Sequence, residues 1–421
     1  MTRPLINRFL YSSVVVLCLL CLPCTVLASD LDFSSLFGDG NHIHPFITLE
    51  TTWSDNIFKT KDDTKSDTVI YTSPGIWFAL PGAETKAISV ETASESPGGA
   101  SLTRFNDMDM IRYQTYFLYN PEFETYLDNT DQNDVNHKAE GYFLYNFAGG
   151  LSIELLDQFI ASHDDIALGL DNVNYNNNYL CGTLSYDVTE KLRLRMDYTQ
   201  YDVNYESLAN YKDRVDNTLS SYIFFKIQPK TSIFFQYYNT DINYDMDTDP
   251  LKSIDSTENG YLAGVRWNIT NKTSGTFKAG YQTKDFDRAS FADVSTLKFE
   301  LNANYEISGH SSLSLTAKDE LSETDTDDAY YIQADSLLAV YEQALTERFT
   351  GFMSANYLRE DYGDIDRTDT TLDVSPSLSY VFNNRLTFNA AYTYEHVSSS
   401  GSDAVDDYTK NTILLSASAS F

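Results

Sequence analysis

Cationic residues are scarce in this chain: 29 Lys plus Arg stand against 61 Asp plus Glu, a formal net charge of −32 over 421 residues. That deficit excludes a general nucleic-acid binder, because phosphate contacts need a Lys/Arg surplus. Cysteine is scarce too, at four residues, and Cys18, Cys21 and Cys24 fall within the first 28. No apolar run after residue 28 approaches 18 residues, so no transmembrane helix is expected. Gly-rich phosphate loops, Cys clusters and nucleotide fingerprints are missing. Collagen, coiled-coil and helical-membrane compositions are missing as well. Aromatics are plentiful, with 31 Tyr and 25 Phe, and this argues against gross disorder, since disordered acidic chains are poor in them.

The first residues read as an export signal. Arg3 and Arg8 form a basic start, Leu10 to Leu22 an apolar run of about a dozen residues, and Val26 and Ala28 a small-residue cleavage site. The run is shorter than the roughly 20 residues that span a bilayer. None of the three early cysteines has small residues placed for lipidation, so a lipid anchor is not expected. The expected division is a cleaved Sec signal over 1–28, a short periplasmic tail over 29–44 and one domain over 45–421. Loss of Arg3 and Arg8 takes the net charge from −32 to −34. Cys181 alone remains, so no internal disulfide is expected.

Period-two alternation runs through the rest. From Leu297 to Ile307 every odd position is apolar and every even one polar, and Leu192–Tyr198, Leu372–Tyr380 and Leu386–Tyr394 follow the same rule, the last with a break at Ala391. Short turn-like clusters begin near Ala148, Val188, Gln228, Thr270, Ser308, Leu345 and Phe382, roughly 37–42 residues apart, and each interval holds two strands and a longer polar loop. Strands are expected to start near Phe46, Thr68, Ile111, Asn136, Leu151, Asn174, Lys191, Thr218, Thr231, Gly260, Thr276, Val294, Ser312, Tyr331, Phe349, Thr370, Arg385 and Thr409. The expected fold is all-β: an up-and-down antiparallel transmembrane β-barrel of about 18 strands (16–20 compatible), with short periplasmic turns and long acidic extracellular loops. Residues 81–110 are too long for a turn, and a further strand pair around 87–93 would fit there. The last strand alternates back from Phe421, which resembles the closing-strand signal read by bacterial outer-membrane assembly machinery.

A soluble sandwich or β-helix is the competing fold. It would need a second apolar layer over its sheets. The polar face here carries Arg, Lys and Glu suited to a wet interior. Aromatics at strand ends, as in Phe234-Phe235-Gln236-Tyr237-Tyr238 and Tyr142-Phe143-Leu144-Tyr145, fit interfacial girdles.

Alternation predicts which charges face the lumen: Arg193, Arg195, Asp197, Arg266, Lys278, Lys298, Glu300, Lys318 and Glu320, joined by Glu306, Asp373 and Glu395. They read as cross-strand ion pairs stiffening the wall or as a polar lining for a hydrophilic solute. A one-residue register slip would reverse every assignment. The loops hold most of the negative charge, notably at Asp245–Asp249, Glu323–Asp328 and Glu360–Asp366. Plain solvation accounts for this; cation bridging to lipopolysaccharide or a negative vestibule are the functional alternatives. Asp245, Asp247 and Asp249 start like a calcium loop, but Pro250 stands at the turn Gly and Ser256 at the bidentate Glu.

Catalysis and cofactors are not expected. The chain has six His: His42, His44, His137, His163, His310 and His396. His396 with Ser398–Ser400 and Asp403 falls in or beside a loop, without the rigid frame a triad needs. His163-Asp164-Asp165 is an isolated dyad, and His42-Ile43-His44 reads as tail.

The first hairpin reads Pro45-Phe46-Ile47-Thr48-Leu49-Glu50-Thr51-Thr52-Trp53-Ser54-Asp55-Asn56-Ile57-Phe58, then Lys65-Ser66-Asp67-Thr68 and Thr72-Ser73-Pro74-Gly75-Ile76. Ser375-Pro376-Ser377-Leu378 echoes it near the end. This pattern resembles the putative β-barrel porin 2 family. The resemblance implies an outer-membrane barrel of the kind associated with exopolysaccharide biosynthesis and export. Expected surroundings are outer-membrane lipid, lipopolysaccharide and the assembly machinery, with no nucleic acid. A periplasmic polysaccharide-export component would have to supply a bridge, since no helical-repeat domain is present. Polymer export, a general diffusion porin, and an adhesive barrel with cation-binding loops are the three functions carried forward. Asp55-Asn56 is expected to bend the chain at the rim, and Pro74 to start or interrupt pairing.

Overall fold

A computed structural model describes residues 42–80, 112–164, 173–206, 212–245, 254–270, 272–324 and 329–421. It contains eighteen strands: β1 (Ile43–Ser54), β2 (Asp67–Leu80), β3 (Tyr113–Tyr126), β4 (Asp134–Asn146), β5 (Leu151–Asp164), β6 (Val173–Asp187), β7 (Leu192–Tyr205), β8 (Arg214–Gln228), β9 (Thr231–Tyr244), β10 (Ser256–Thr270), β11 (Thr273–Phe286), β12 (Val294–Ser308), β13 (Ser311–Ser322), β14 (Ile332–Ala344), β15 (Phe349–Tyr362), β16 (Thr368–Asn383), β17 (Leu386–Ser400) and β18 (Tyr408–Ser420). Each pairs antiparallel with the next, and β18 closes on β1 from Phe46↔Ser420 to Ser54↔Thr412. Closure leaves no sheet edge, the condition for a sheet to cross a bilayer. The possible strand pair around 87–93 lies outside the described residues.

Alternation was the right guide because a strand sends successive side chains to opposite faces. Leu49, Leu297 and Leu415 are more than half exposed on the outside, where a soluble protein would not keep a continuous apolar band. Adjacent aromatics split between the faces. Phe235 points out and is 47% exposed, but Phe234 and Tyr238 are buried inside, as are Tyr142 and Leu144. The runs expected as girdles therefore supply interior packing as well.

Strands overrun their expected starts. β8 begins at Arg214 rather than Thr218, and β10 at Ser256 rather than Gly260. β1 begins at Ile43; His44 stacks on Trp77 at 4.6 Å, and His42 Nδ1 lies 3.0 Å from the Ala79 carbonyl.

The rim of long loops is stapled by Asx side chains. The residue just before a returning strand accepts a backbone N–H from the end of the strand before it. Asn133 does so from Tyr126 (2.8 Å), Asp213 from Tyr205 (2.6 Å), Asp255 from Tyr244 (2.7 Å), Asp293 from Phe286 (3.1 Å) and Asp407 from Ser399 (2.8 Å). These side chains, four of them carboxylates, satisfy N–H groups that the ladder leaves unpaired, so part of the loop acidity is structural.

The Asp55-Asn56 bend closes the seam. Asp55 accepts the backbone and side-chain N–H groups of Asn411, both at 2.7 Å. Asn56 is fully buried and donates to the carbonyls of Thr60 (2.7 Å) and Thr409 (3.1 Å). At the other end the Phe421 N–H donates to the Pro45 carbonyl at 2.9 Å. Gly75 lies under the Phe46 ring, where a Cβ would meet ring carbon at 2.1 Å.

Candidate channel interior

The inward faces fall into two arcs. From β2 through β12 most mid-strand inward positions are buried, and many of them carry long, aromatic or charged side chains, with short ones such as Thr183, Thr218 and Thr240 packed among them. At the short-turn end Trp77, Tyr116, Leu118, Tyr142, Leu156, Tyr179 and Cys181 form one cluster, and Tyr222, Phe224 and Phe234 a second. Glycine enables the packing over β10 and β11. Gly260 leaves room for the Tyr238 ring to cross β10, so its hydroxyl donates to Gln282 on β11 at 3.0 Å. At Gly280 a Cβ would sit 1.9 Å from the Tyr261 carbonyl oxygen, so no other residue fits without backbone movement.

Charges in this arc are paired out of water. Lys278 lies 2.9 Å from Glu300, and Lys298 3.5 Å from Glu320. Arg195 Nε donates to Asp197 at 2.7 Å and Arg214 Nε to Asp216 at 3.1 Å. Higher up, Lys284 bridges Glu258 (3.3 Å) and Glu323, and Tyr244 donates its hydroxyl to Glu323. Desolvation of such ions is offset only by close partners, which each of these has.

From β14 through β18 to β1 the inward face changes character. Short polar residues dominate: Ser354 and Asn356 on β15, Ser375 and Ser377 on β16, Ser416 on β18 and Thr48 on β1, all half-buried. Leu338 belongs to this face, opposite Thr316 and Asn356, and is still 39% exposed. Water reaches this side of the interior.

All nine charges assigned to the lumen by alternation lie on the inward face of their strands. Arg193 is half-buried and forks onto Asp187 at 2.7 and 2.9 Å. Arg266 is half-buried opposite Ser232 and Thr276. Lys318 is half-buried, 3.8 Å from Glu320. Arg195, Asp197, Lys278, Lys298, Glu300 and Glu320 are buried, at 7% exposure or less. They form a packed wall of ion pairs, not a hydrated lining, because the neighbouring rings and alkyl chains cover them. Glu306 is exposed near the short turns, while Asp373 and Glu395 are half-buried on the open arc.

Sequence reasoning missed Arg214, Asp216 and Glu258, which continue the inward series of β8 and β10 ahead of their expected starts, and Lys284, near the end of β11. It also placed Glu323 in a solvated loop, whereas Glu323 is 1% exposed and anchored to Lys284. Asp247 and Asp249 lie outside the described residues; among those described, no group of His, Cys, Asp and Glu is arranged to hold a metal ion. His163 lies 3.6 Å from Glu124 and 3.4 Å from Asp134, and His396 Nδ1 lies 3.1 Å from the Thr409 hydroxyl.

A closed 18-stranded barrel with an apolar outer band and a polar interior defines an outer-membrane β-barrel of the porin class. The chain belongs to the family described as Putative beta-barrel porin 2, whose model matches residues 181–421. This agrees with the resemblance carried by the first hairpin, although the matched residues lie in the later part of the chain. The protein is accordingly one of the bacterial outer membrane. No curated protein matches the sequence. Among solved structures, the chain is similar to OccAB4 of Acinetobacter baumannii, with 10% identity, coverage of 91% of this chain and 99% of that one, and a TM-score of 0.46. It is similar to OpdK of Pseudomonas aeruginosa at 9% identity, covering 90% and 99%, with a TM-score of 0.46. It is also similar to the alcaligin outer-membrane receptor FauA of Bordetella pertussis at 9% identity, covering 90% and 76%, with a TM-score of 0.41.

Proposed function

We propose that the protein is a passive channel for small hydrophilic solutes and ions across the outer membrane. The observation that carries this reading is the open arc, where short hydroxyl and amide side chains face water from Ser416 and Thr48 to Asn356 and Ser375. Such a surface replaces hydration of a polar solute without binding it tightly, and an 18-stranded wall is wide enough to hold water beside its own side chains. The buried arc narrows the bore and keeps the wall rigid. The test is single-channel recording of the purified protein in a pure lipid bilayer. Discrete conductance steps with no partner present support the reading, and their absence removes it.

Export of an exopolysaccharide is the finer reading that the family resemblance suggests. Nothing on the inward face favours a polymer over small solutes, so that reading rests on the resemblance alone. Glycan retained in the periplasm of a strain lacking the gene, and released on complementation, would revive it. The adhesive reading is weakened by the rim staples, which give several loop carboxylates an internal task.

A further inference from the structure

We propose that the water path follows the β14–β1 arc and selects cations, the favoured solutes being small inorganic cations and protonated amines. This rests on the channel reading above. Two independent features of the wall lead to it.

The first is side-chain size. Water-exposed inward positions concentrate where the side chains are short, and an inward apolar residue, Leu338, is 39% exposed there. On β8 to β12 the inward side chains cover one another, with Gln236, Lys278, Lys284, Lys298 and Glu300 at 1% exposure or less. A solute therefore meets the open arc.

The second is charge. Inward strand positions of the open arc carry Glu342, Glu360, Asp369, Asp373, Glu395 and Glu50, against Lys410. Two carboxylate pairs stand directly opposite each other across the ladder, Glu360↔Asp369 and Asp373↔Glu395. Like charges in that position destabilise a sheet unless something positive lies between them. Arg367 supplies it for Asp369, with Nε 3.0 Å from the carboxylate. Asp373 receives a neutral amide, Asn356 Nδ2 at 3.0 Å, and Glu395 the Tyr408 hydroxyl at 2.6 Å, with Lys410 directly opposite Glu395 across the β17–β18 ladder. Oδ1 of Asp373 is buried and accepts no hydrogen bond. The buried cations Arg195, Arg214, Lys278, Lys284 and Lys298 of the packed arc offset this field little, because each lies against a carboxylate of its own. Carboxylates along one side of a low-dielectric tube raise the local cation concentration and repel anions.

The experiment is the reversal potential of the full-length protein in a planar bilayer under a potassium chloride gradient. A potential of the cation sign is expected. The Asp373→Asn/Glu395→Gln double variant should move it toward zero, with a fall in the potassium-to-chloride permeability ratio of roughly fivefold or more, as expected for losing charges about 4 Å from an ion in water. That variant relieves a like-charge contact and so does not threaten folding. Replacing the buried pair, Lys278→Met/Glu300→Met, should leave the ratio unchanged, with heat-modified gel mobility confirming a folded barrel. A reversal potential at zero or of the anion sign overturns the proposal, as does selectivity that follows the buried pair. A barrel that conducts without preference refutes the selectivity alone, whereas one that never conducts refutes the channel reading and the selectivity with it.

Discussion

The wall from β8 to β12 and the wall from β14 to β1 share one fold and one alternation, yet they treat charge in opposite ways. On the first, every buried ion has a partner within reach, and glycine on β10 and β11 lets rings and alkyl chains close over the pairs. On the second, carboxylates face one another beside serine and threonine, with Arg367 against Asp369 and Lys410 opposite Glu395 as the nearby cations. The contrast shows that an inward position does not by itself mean a wet one. The size of the neighbouring side chains decides whether a charge becomes structure or lining.

The comparison breaks most readily at Lys284. Lys284→Met strands Glu258 and Glu323 in a dry wall, and removing one partner of a buried pair destabilises by about 3–5 kcal/mol. Urea unfolding in lipid vesicles should show that loss, while Lys410→Met on the open arc should cost less than about 1 kcal/mol; equal losses would dissolve the distinction. Next is Gly280→Ala, where the clash with the Tyr261 carbonyl should cost about 1–3 kcal/mol, against under about 0.5 kcal/mol for Ser416→Ala on the open side. Asn56→Ala, at the seam within the open arc, removes bonds to Thr60 and Thr409 and should cost about 1–2 kcal/mol, with hydrogen exchange rising first at the outer ends of β1 and β18.

Conductance gives the functional form of the contrast. Ser354→Phe combined with Ser416→Phe should lower single-channel current at least about twofold by filling the open arc. Thr218→Val, within the buried wall, should leave the current unchanged. The smallest effect is expected at the rim. Burial, with Asp245 nearby, raises the Asp213 carboxyl to about 6 although it accepts the Tyr205 N–H. A raised acid favours the protonated folded state, so its penalty is present above pH 6 and vanishes as pH falls below the ordinary value of 3.8. Asp213→Asn keeps an acceptor for Tyr205 and should stabilise slightly at pH 7 but not at pH 3.5. Parallel denaturation series at the two values would check this.

Much of the barrel was legible because strand identity and facing are local. Starts expected at Leu151, Thr231, Val294 and Phe349 are the observed ones, and Arg195, Lys278 and Glu300 were set on the correct face by counting in twos. The upper ends of β8 and β10 were hidden because Arg214, Asp216 and Glu258 sit in stretches whose acidity reads as loop. Extending the inward count beyond Thr218 and Gly260 would have found them. The Asx staples were hidden because nothing in Asp255 or Asp293 alone tells which strand end it reaches.

The amino-acid sequence by itself therefore determined the strand count, the alternation, the closing strand and the excess of negative charge, all properties of neighbours along the chain. The tertiary structure decided the rest. Only closure of the ring brought Asp55 to Asn411, and only the packing of β9 rings over the glycines of β10 helped seal the lysines of one arc while the short side chains of the other stayed half-exposed. Burial depends on what lies across the ladder, and residues distant in the chain supply that.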